Sequence, residues 1–128
     1  MKRYVTLGFS IAAGAALGAA AVTAIHAQTK PMGYVIALNV VSNPDPYAKE
    51  CAAVVDKTIV DSGGKFLVRG GKTIPMHGAP PASRVVVVQF ASLEQAETWA
   101  KSPAATAGFA ACAKYGTLND FVVEGASP

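Results

Sequence analysis

The sequence predicts an α+β domain in which strands and helices follow the order β-α-β-β-α-β. Three observations lead to this fold class: four short runs rich in β-branched and aromatic residues, helical segments with apolar residues at helical spacing, and turn-forming glycines and prolines between them. The chain has 128 residues, of which 52% are hydrophobic and 15% are charged. That length and composition are typical of one globular domain and exclude a disordered chain.

The first half of the chain predicts a strand, a helix and a second strand. Residues 34–41 form an apolar, β-branched run of strand length. Turn residues follow, with Asp45 as a candidate N-cap and Pro46 at the first helical position. The helix ends at Gly63-Gly64, and residues 65–71 form the second predicted strand. The face of this helix that we expect to be buried carries Tyr47, Cys51, Val54, Val55, Thr58 and Ile59.

The second half begins with a strand and a capped helix. Residues 84–90 form the third predicted strand, which a proline-rich hairpin loop over residues 72–83 joins to the second. Ser92 and Gln95 have the spacing of a capping box, in which the serine hydroxyl accepts from the backbone N–H three residues on. The second helix is therefore expected to start there.

The remaining chain predicts a broken helix and a last strand. Ser102-Pro103 interrupts the second helical region after Ala100. A further helical stretch over residues 103–115 ends at a glycine, as helices often do. Residues 119–124 form the fourth strand and leave a short polar tail.

This order predicts the ferredoxin-like split βαβ fold, with a four-stranded antiparallel or mixed sheet and both helices on one face. The first and third strands are apolar at nearly every position, whereas a sheet with one wet face should alternate apolar and polar residues. Two helices cover one face only. We therefore expect a homodimer in which a second copy packs on the open sheet face.

The amino terminus has the pattern of a secretory signal peptide. Lys2 and Arg3 precede residues 5–25, which contain no charged residue, and small residues follow. Cleavage after Ala27 would leave a single domain over residues 28–128 in the periplasm or secreted medium; cleavage after Ala24 is the alternative. The other alternative is an uncleaved helix that anchors the protein in the membrane.

The charge balance excludes two classes of partner. The whole chain has a formal net charge of +3, but without Lys2 and Arg3 nine basic residues face eight acidic ones, a net charge of +1. A nucleic-acid-binding domain should carry a clustered basic face, so no nucleic acid is expected. No polybasic patch remains for stable association with a membrane after the leader is removed.

Two cysteines, Cys51 and Cys112, lie on predicted helices that run antiparallel in this fold. Export would permit them to form a disulfide; the alternative is a pair of buried free thiols. Neither belongs to a CxxC motif or lies near a histidine at metal-ligand spacing, so we expect no metal site.

A cationic cluster is one candidate ligand site. Arg69 ends the second strand and Arg84 begins the third, so the hairpin brings them together with Lys72, while His77 lies in the loop. Guanidinium groups bind carboxylates or phosphates bidentately, which favours a small anionic ligand. The alternative is that these are solvated cations and that Arg69 pairs with an acid, such as Glu124 of a second copy.

Polar residues within the apolar strands are the other candidates. Asn39 and Gln89 either face a pocket or satisfy each other or the partner copy. Tyr47 and Trp99 could line the same cavity or belong to the core. His77 would be the general base of an enzyme, but it has no obvious orienting carboxylate in the sequence.

Several motifs, in this order and spacing, resemble those of one known family. They are Phe66-Leu67-Val68-Arg69-Gly70-Gly71, Arg84-Val85-Val86-Val87-Val88-Gln89-Phe90 and Val123-Glu124-Gly125, with Asp45-Pro46-Tyr47 and Ser102-Pro103. Over residues 33–125 the chain resembles domain of unknown function 1330, in the dimeric α+β barrel superfamily. The resemblance implies a ferredoxin-like homodimer and no assigned activity.

Three classes of function are consistent with this sequence. The first is an exported dimeric domain that binds a small molecule, for example an anionic one, without a cofactor. The second is a cofactor-independent enzyme of the oxygenase or isomerase type, in which Arg69 orients an anionic substrate. The third is a structural interaction module without a pocket. A cavity that contains Asn39, Arg69 and Gln89 would favour the first two.

Overall fold

A computed structural model describes residues 30–80 and 82–128, and the predicted signal peptide lies outside them. Within the described residues, the strands are β1 (Gly33–Val41), β2 (Lys65–Arg69), β3 (Arg84–Phe90), β4 (Gly116–Thr117) and β5 (Asp120–Glu124). The first helix, α1, has three consecutive parts: an α-helical turn Pro44–Pro46, a π-helical segment Tyr47–Ala52 and an α-helical segment Ala53–Asp61. The other helices are α2 (Leu93–Ala100) and α3 (Pro103–Cys112).

The strands form one antiparallel sheet with β1 and β3 in the centre. Its order is β2-β3-β1, and β5 and the short β4 follow one another along the far edge of β1. All pairings are antiparallel, and a register irregularity between Phe66 and Val68 interrupts the β2–β3 pair. The predicted ferredoxin-like α+β fold is thus confirmed, with one additional short strand.

Alternate residues along each strand point to opposite faces of the sheet. On β1, Val35, Ala37 and Asn39 are buried under the helices, whereas Tyr34, Ile36 and Leu38 point to the opposite face. The β1–β3 register pairs Val35 with Val88 and Ile36 with Val87, so β3 alternates in the same way. We call the covered face the inner face and the other the outer face.

The main core lies between the inner face and the helices. Trp99 of α2 stacks on Phe90 of β3 with ring centroids 5.8 Å apart, and its edge meets Phe109 of α3 at 5.6 Å. Its indole N–H donates to Thr58 Oγ of α1 over 3.0 Å, so this large side chain is buried without an unsatisfied donor. The buried members of this core are Val35, Ile59, Val88, Phe90, Ala96, Trp99 and Ala105.

A second, smaller cluster joins α1 to the end of α3. It contains Tyr47, Cys51 and Cys112, with the two cysteines at disulfide distance and their Cα atoms 4.7 Å apart. The helices approach closely because Gly108 of α3 faces α1: a Cβ there would lie 2.7 Å from a methyl of Val55.

Serine caps set where α2 and α3 begin, as predicted for α2. Ser92 accepts from the N–H of Gln95, and Ser102 accepts from the N–H of Ala105, both over 3.2 Å. Each cap satisfies a backbone donor that has no partner inside the helix. Pro103 follows Ser102 at the first helical position, so it begins a new helix instead of kinking the old one.

The boundaries of four elements differ from the sequence-based expectations. Asp45 is not the N-cap of α1, because the helix already starts at Pro44 after Asn43. The strand β2 ends at Arg69 instead of residue 71, since Gly70 takes a positive φ of 66° and leaves the strand. The helix α3 ends at Cys112 instead of residue 115, and the last strand starts one residue late, at Asp120.

The buried face of α1 is narrower than expected. Tyr47, Cys51 and Ile59 are buried, but Val54, predicted on that face, is 47% exposed. The buried residues recur every fourth position, and the π-helical segment lies at the start of this stripe.

Among the described residues, no helix has the length and apolar character needed to cross a membrane.

Candidate functional site

A cavity of about 50 Å³ lies between the inner face and the helices. A single water molecule needs roughly 10 to 15 Å³ of such space. The cavity therefore holds only a few ligand atoms. Most of its wall is apolar and includes Trp99 and Phe109. Its polar lining comprises Asn39, Tyr47, Asp56, Arg84 and Asp120. A mostly apolar pocket with a few convergent polar groups is typical of a small-molecule site.

The amide of Asn39 is fixed in the centre of this lining. The side chain is only 6% exposed, and its oxygen accepts from the backbone N–H of Asn119 over 3.1 Å. Since a backbone N–H can only donate, this contact orients the NH₂ group towards the cavity. There it donates to the hydroxyl of Tyr47 over 3.2 Å, and it also interacts with the carboxyl of Asp120.

The hydroxyl of Tyr47 keeps one unused donor. Tyr47 is only 5% exposed, and its oxygen accepts from Asn39. Within residues 30–80 and 82–128, nothing accepts the proton of this hydroxyl. A buried O–H group normally finds a partner, so this proton is available to a ligand or to water in the cavity.

Arg84 is the cation of the cavity. Its guanidinium carbon lies 5.8 Å from the centre of the Tyr47 ring, and its other neighbour is the backbone of Gly70, where a Cβ would lie 2.5 Å from Nη1. The glycine is therefore needed for this close approach. In the part of the chain that the structure describes, the guanidinium of Arg84 makes neither a hydrogen bond nor an ion pair. It is half-buried, so a guanidinium with five donors is held in place without an anionic partner.

Arg69 is placed differently. It forms an ion pair with Asp56 of α1, and its guanidinium carbon lies 4.8 Å from the centre of the Phe66 ring. The carboxylate of Asp56 is 15% exposed and already neutralises this cation. Arg69 therefore has less capacity than Arg84 to bind a ligand's anionic group, and its partner is Asp56 of the same chain instead of Glu124 of a second copy.

Arg84 also connects the cavity to the surface. It lines a depression of about 300 Å³ beside Tyr47 and Ser83, and another of about 290 Å³ beside Arg69 and Asp56. Both depressions and the cavity share Ala52 of α1. A ligand larger than the cavity could therefore place its anionic group at Arg84 and extend outwards.

Asp120 enters the site from the edge strand β5. It pairs in register with Ala37, which makes it an inner-face position, although the residue as a whole keeps contact with solvent. Burial raises the pKa of its carboxyl above the usual value, and the hydrogen bond from Asn39 offsets part of that rise. An ionised Asp120 is thus less well compensated in the folded protein than in water.

The other candidates from the sequence lie away from the cavity. Gln89 pairs with Tyr34 on the outer face, so it neither lines the cavity nor meets Asn39. Lys72 and His77 are exposed in the loop between β2 and β3, and His77 borders a separate depression formed by residues of that loop. Of the candidate residues, Asn39, Tyr47, Trp99 and Arg84 come together around one cavity.

Two acidic residues of the site, Asp56 and Asp120, are not among the candidates from the sequence. Charged residues are mostly exposed, so their type alone does not single them out. One signal was present for Asp120: if Phe121 and Val123 share one face of a strand, residue 120 must share the other with Val122.

No group of three histidine, cysteine, aspartate or glutamate residues within the described ranges is arranged to hold a metal ion.

Comparisons with known proteins identify relatives but no activity. Residues 32–126 match the family described as "Domain of unknown function (DUF1330)". The solved structure of RPA0582, a protein of unknown function from Rhodopseudomonas palustris, is 11% identical with a TM-score of 0.55 and covers 77% of this chain and 85% of its own. Its methylated form gives 12% identity and the same TM-score, with 77% and 84% covered. This similarity supports the fold alone.

A third structure is a Caulobacter crescentus CB15 protein, provisionally named an antibiotic biosynthesis monooxygenase. It is 18% identical with a TM-score of 0.41 and covers 80% of this chain and 96% of its own. That score is too low to support an argument about this chain. No curated protein matches the sequence.

The raised pKa of Asp120 predicts how pH affects the variant Asp120→Asn. Between the unfolded and folded pKa values the native state binds more protons, so wild-type stability falls as pH rises through that window. The neutral amide lacks this penalty. The variant should therefore melt at a higher temperature than the wild type at about pH 7, and the gap should close towards about pH 3.5. Thermal melts across this range measure it; a gap that is independent of pH would contradict the assignment.

Proposed function

Because the chain belongs to the DUF1330 family, a domain of unknown function, we propose its function from the site: the domain binds a small anionic molecule. The observation that carries this proposal is the half-buried guanidinium of Arg84, which has no anionic partner among the described residues and lies against the ring of Tyr47. The free hydroxyl proton of Tyr47 supplies a second donor in the same cavity. A carboxylate or similar oxyanion would satisfy both groups.

The chemistry of the two groups explains why this site favours an anion. A guanidinium donates parallel N–H bonds that match the two oxygens of a carboxylate, and the apolar wall strengthens this attraction by excluding water. The guanidinium lies between the ring of Tyr47 and the backbone of Gly70, which limit the positions that it can take before the ligand arrives. A preorganised group loses little conformational freedom on binding, which favours affinity.

The second candidate function is a cofactor-independent enzyme of the oxygenase or isomerase type. It is favoured by the Asp120 carboxyl, which lines the same cavity and is able to accept or return a proton. His77 is a poorer general base for this site because it lies in the exposed loop. In this reading the substrate's anionic group is held by Arg84 instead of Arg69.

We also infer that the domain is a homodimer through its outer face. That face carries apolar residues on the central strands, and Val40, Phe121 and Val123 are 49%, 46% and 42% exposed. Among the described strand residues, Tyr34 and Gln89 interrupt the central strands with polar groups, and Lys65 and Thr117 do so on the neighbouring strands. An apolar face without central charges suits a symmetric interface, in which a second copy covers it with the same residues on both sides.

Export is the third part of the proposal. Residues 1–27 act as a signal peptide, and the mature domain forms the Cys51–Cys112 disulfide in an oxidising compartment. The pair at disulfide distance supports this compartment, because such bonds rarely persist in a reducing cytosol. Nothing in the binding proposal depends on where cleavage occurs.

Loss of the Arg84 guanidinium should weaken anion binding. Trp99 is the only tryptophan of the chain and lines the cavity, so its fluorescence reports a ligand there. Titration with acetate should give a saturable change that weakens by about tenfold or more in Arg84→Gln, the cost of a charge-assisted contact. Lys72→Gln removes the same charge from the exposed loop and should bind as the wild type does. No saturable signal in the wild type would favour a module without a ligand.

A charge in the centre of the outer face should separate the dimer. Val87 pairs with Ile36 in the middle of that face, so Val87→Lys would bury two lysines in a symmetric interface. Light scattering after size exclusion should give about twice the mass of one chain for the wild type and one chain for the variant. Val60→Lys is the control, since Val60 is 61% exposed on α1. A monomeric wild type would disprove the interface.

The exported protein should begin at Gln28, or at Ile25 if cleavage follows Ala24, and carry no free thiol. Its intact mass after alkylation under denaturing conditions without reductant checks both statements. Because 61 residues separate the cysteines, Cys51→Ala/Cys112→Ala should lower the free energy of unfolding by about 4 kcal/mol. Reduced wild type should unfold at a similar urea concentration to the variant. Full alkylation of both cysteines without reductant would exclude the bond.

A further inference from the structure

The cavity contains a second charged group that a simple anion leaves without a partner. Asp120 and Arg84 both line it, yet no ion pair joins them. They belong to the strands on either side of β1, where Arg84 pairs with Asn39 and Asp120 pairs with Ala37. Two strand spacings and a two-residue offset place their Cα atoms about 12 Å apart. From these positions both side chains face the same small cavity, so one small ligand can contact both groups.

From this arrangement we propose that the ligand carries two groups: an anionic group that binds Arg84 and Tyr47, and a hydrogen-bond donor, a hydroxyl or an ammonium, that binds Asp120. The inference rests on the proposed anion-binding function and adds the chemical class of the ligand. Small hydroxy acids and amino acids belong to this class.

Hydrogen-bond accounting supports the role of Asp120 as an acceptor. Among the described residues, the amide of Asn39 is the polar group that interacts with the carboxyl of Asp120. A carboxylate offers about four lone-pair positions and Asp120 keeps contact with solvent, so a donor on the ligand can replace water at the remaining positions. Burial raises the pKa of Asp120, which means that its charge is short of compensation. A donor on the ligand would provide that compensation.

Electrostatics favours the same class of ligand. An ionised Asp120 repels an anion that lies nearby in a cavity with apolar walls. The other carboxylate of the lining, Asp56, is already paired with Arg69 and does not require a donor from the ligand. A ligand with a donor at its far end converts the repulsion by Asp120 into an attraction. The site therefore discriminates against simple anions as well as recognising an anionic group.

The test compares ligands of equal size that differ only in the second group. Propionate, glycolate and glycine share a carboxylate and carry a methyl, a hydroxyl and an ammonium group, respectively. Butyrate, 3-hydroxypropionate and β-alanine form a longer series. Each is titrated into the purified, full-length mature protein at about pH 7, with Trp99 fluorescence as the signal. The hydroxyl and ammonium arms identify which donor the site prefers.

In at least one series, the hydroxyl or ammonium ligand should bind about tenfold more tightly than the methyl ligand, as expected for a hydrogen bond to a charged group. In Asp120→Ala this preference should disappear while the methyl ligand binds at least as well as before. Asp61→Ala removes an exposed carboxylate at the far end of α1 and should keep the preference.

The contrary outcomes separate this inference from the proposed function. Equal affinity across each series in the wild type would overturn the two-group ligand and leave anion binding at Arg84 intact. A preference that persists in Asp120→Ala would also overturn it, because another group would then bind the donor. If no carboxylate binds at all, the proposed function fails and this inference fails with it.

Discussion

The buried amide of Asn39 links three separate parts of the chain. It lies on the central strand, accepts from the backbone of Asn119 before β5, donates to Tyr47 on α1 and interacts with the carboxyl of Asp120 on β5. A buried amide needs hydrogen-bond partners for both its oxygen and its NH₂ group, so these contacts depend on one another. The bond from the Asn119 backbone orients the NH₂ group, and the NH₂ group then positions the two side chains. The polar part of the cavity is built on this one side chain.

The π-helical segment of α1 brings Tyr47 into that network. In a regular α-helix, residues four apart rotate by about 40° around the axis, so a stripe at every fourth position would drift off the sheet within three steps. The i→i+5 bond from Ala53 to Ala48 widens one turn at the start of the stripe. Tyr47 and Cys51 therefore face inwards together with Ile59. As a result, one helix segment contributes both to the disulfide-distance pair and to the cavity wall.

Much of the fold follows from local sequence, whereas the site depends on tertiary choices. The β-branched runs and the serine cap before α2 predict elements that the structure confirms. The two cysteines, expected to be neighbours on antiparallel helices, lie at disulfide distance. The sequence groups Arg69 and Arg84 in one cationic cluster, but it does not indicate that Asp56 pairs with Arg69 alone. A purely α-helical spacing of apolar residues does not predict a π-helical turn. For this reason Val54 was expected on the buried face of the helix.

Alternate residues of each strand point to opposite faces of the sheet. The two proposed roles, ligand binding and dimerisation, therefore lie on different faces. On β3, Arg84, Val86 and Val88 point towards the cavity, and Val85, Val87 and Gln89 point away from it. A dimer through the outer face would leave both cavities beneath their own helices, with Arg84 reachable through the depressions beside α1. The partner copy then adds no residue to the site, but it covers the apolar back of the strands that hold Asn39 and Arg84. Dimerisation would thereby stabilise the scaffold on which the ligand-binding geometry depends.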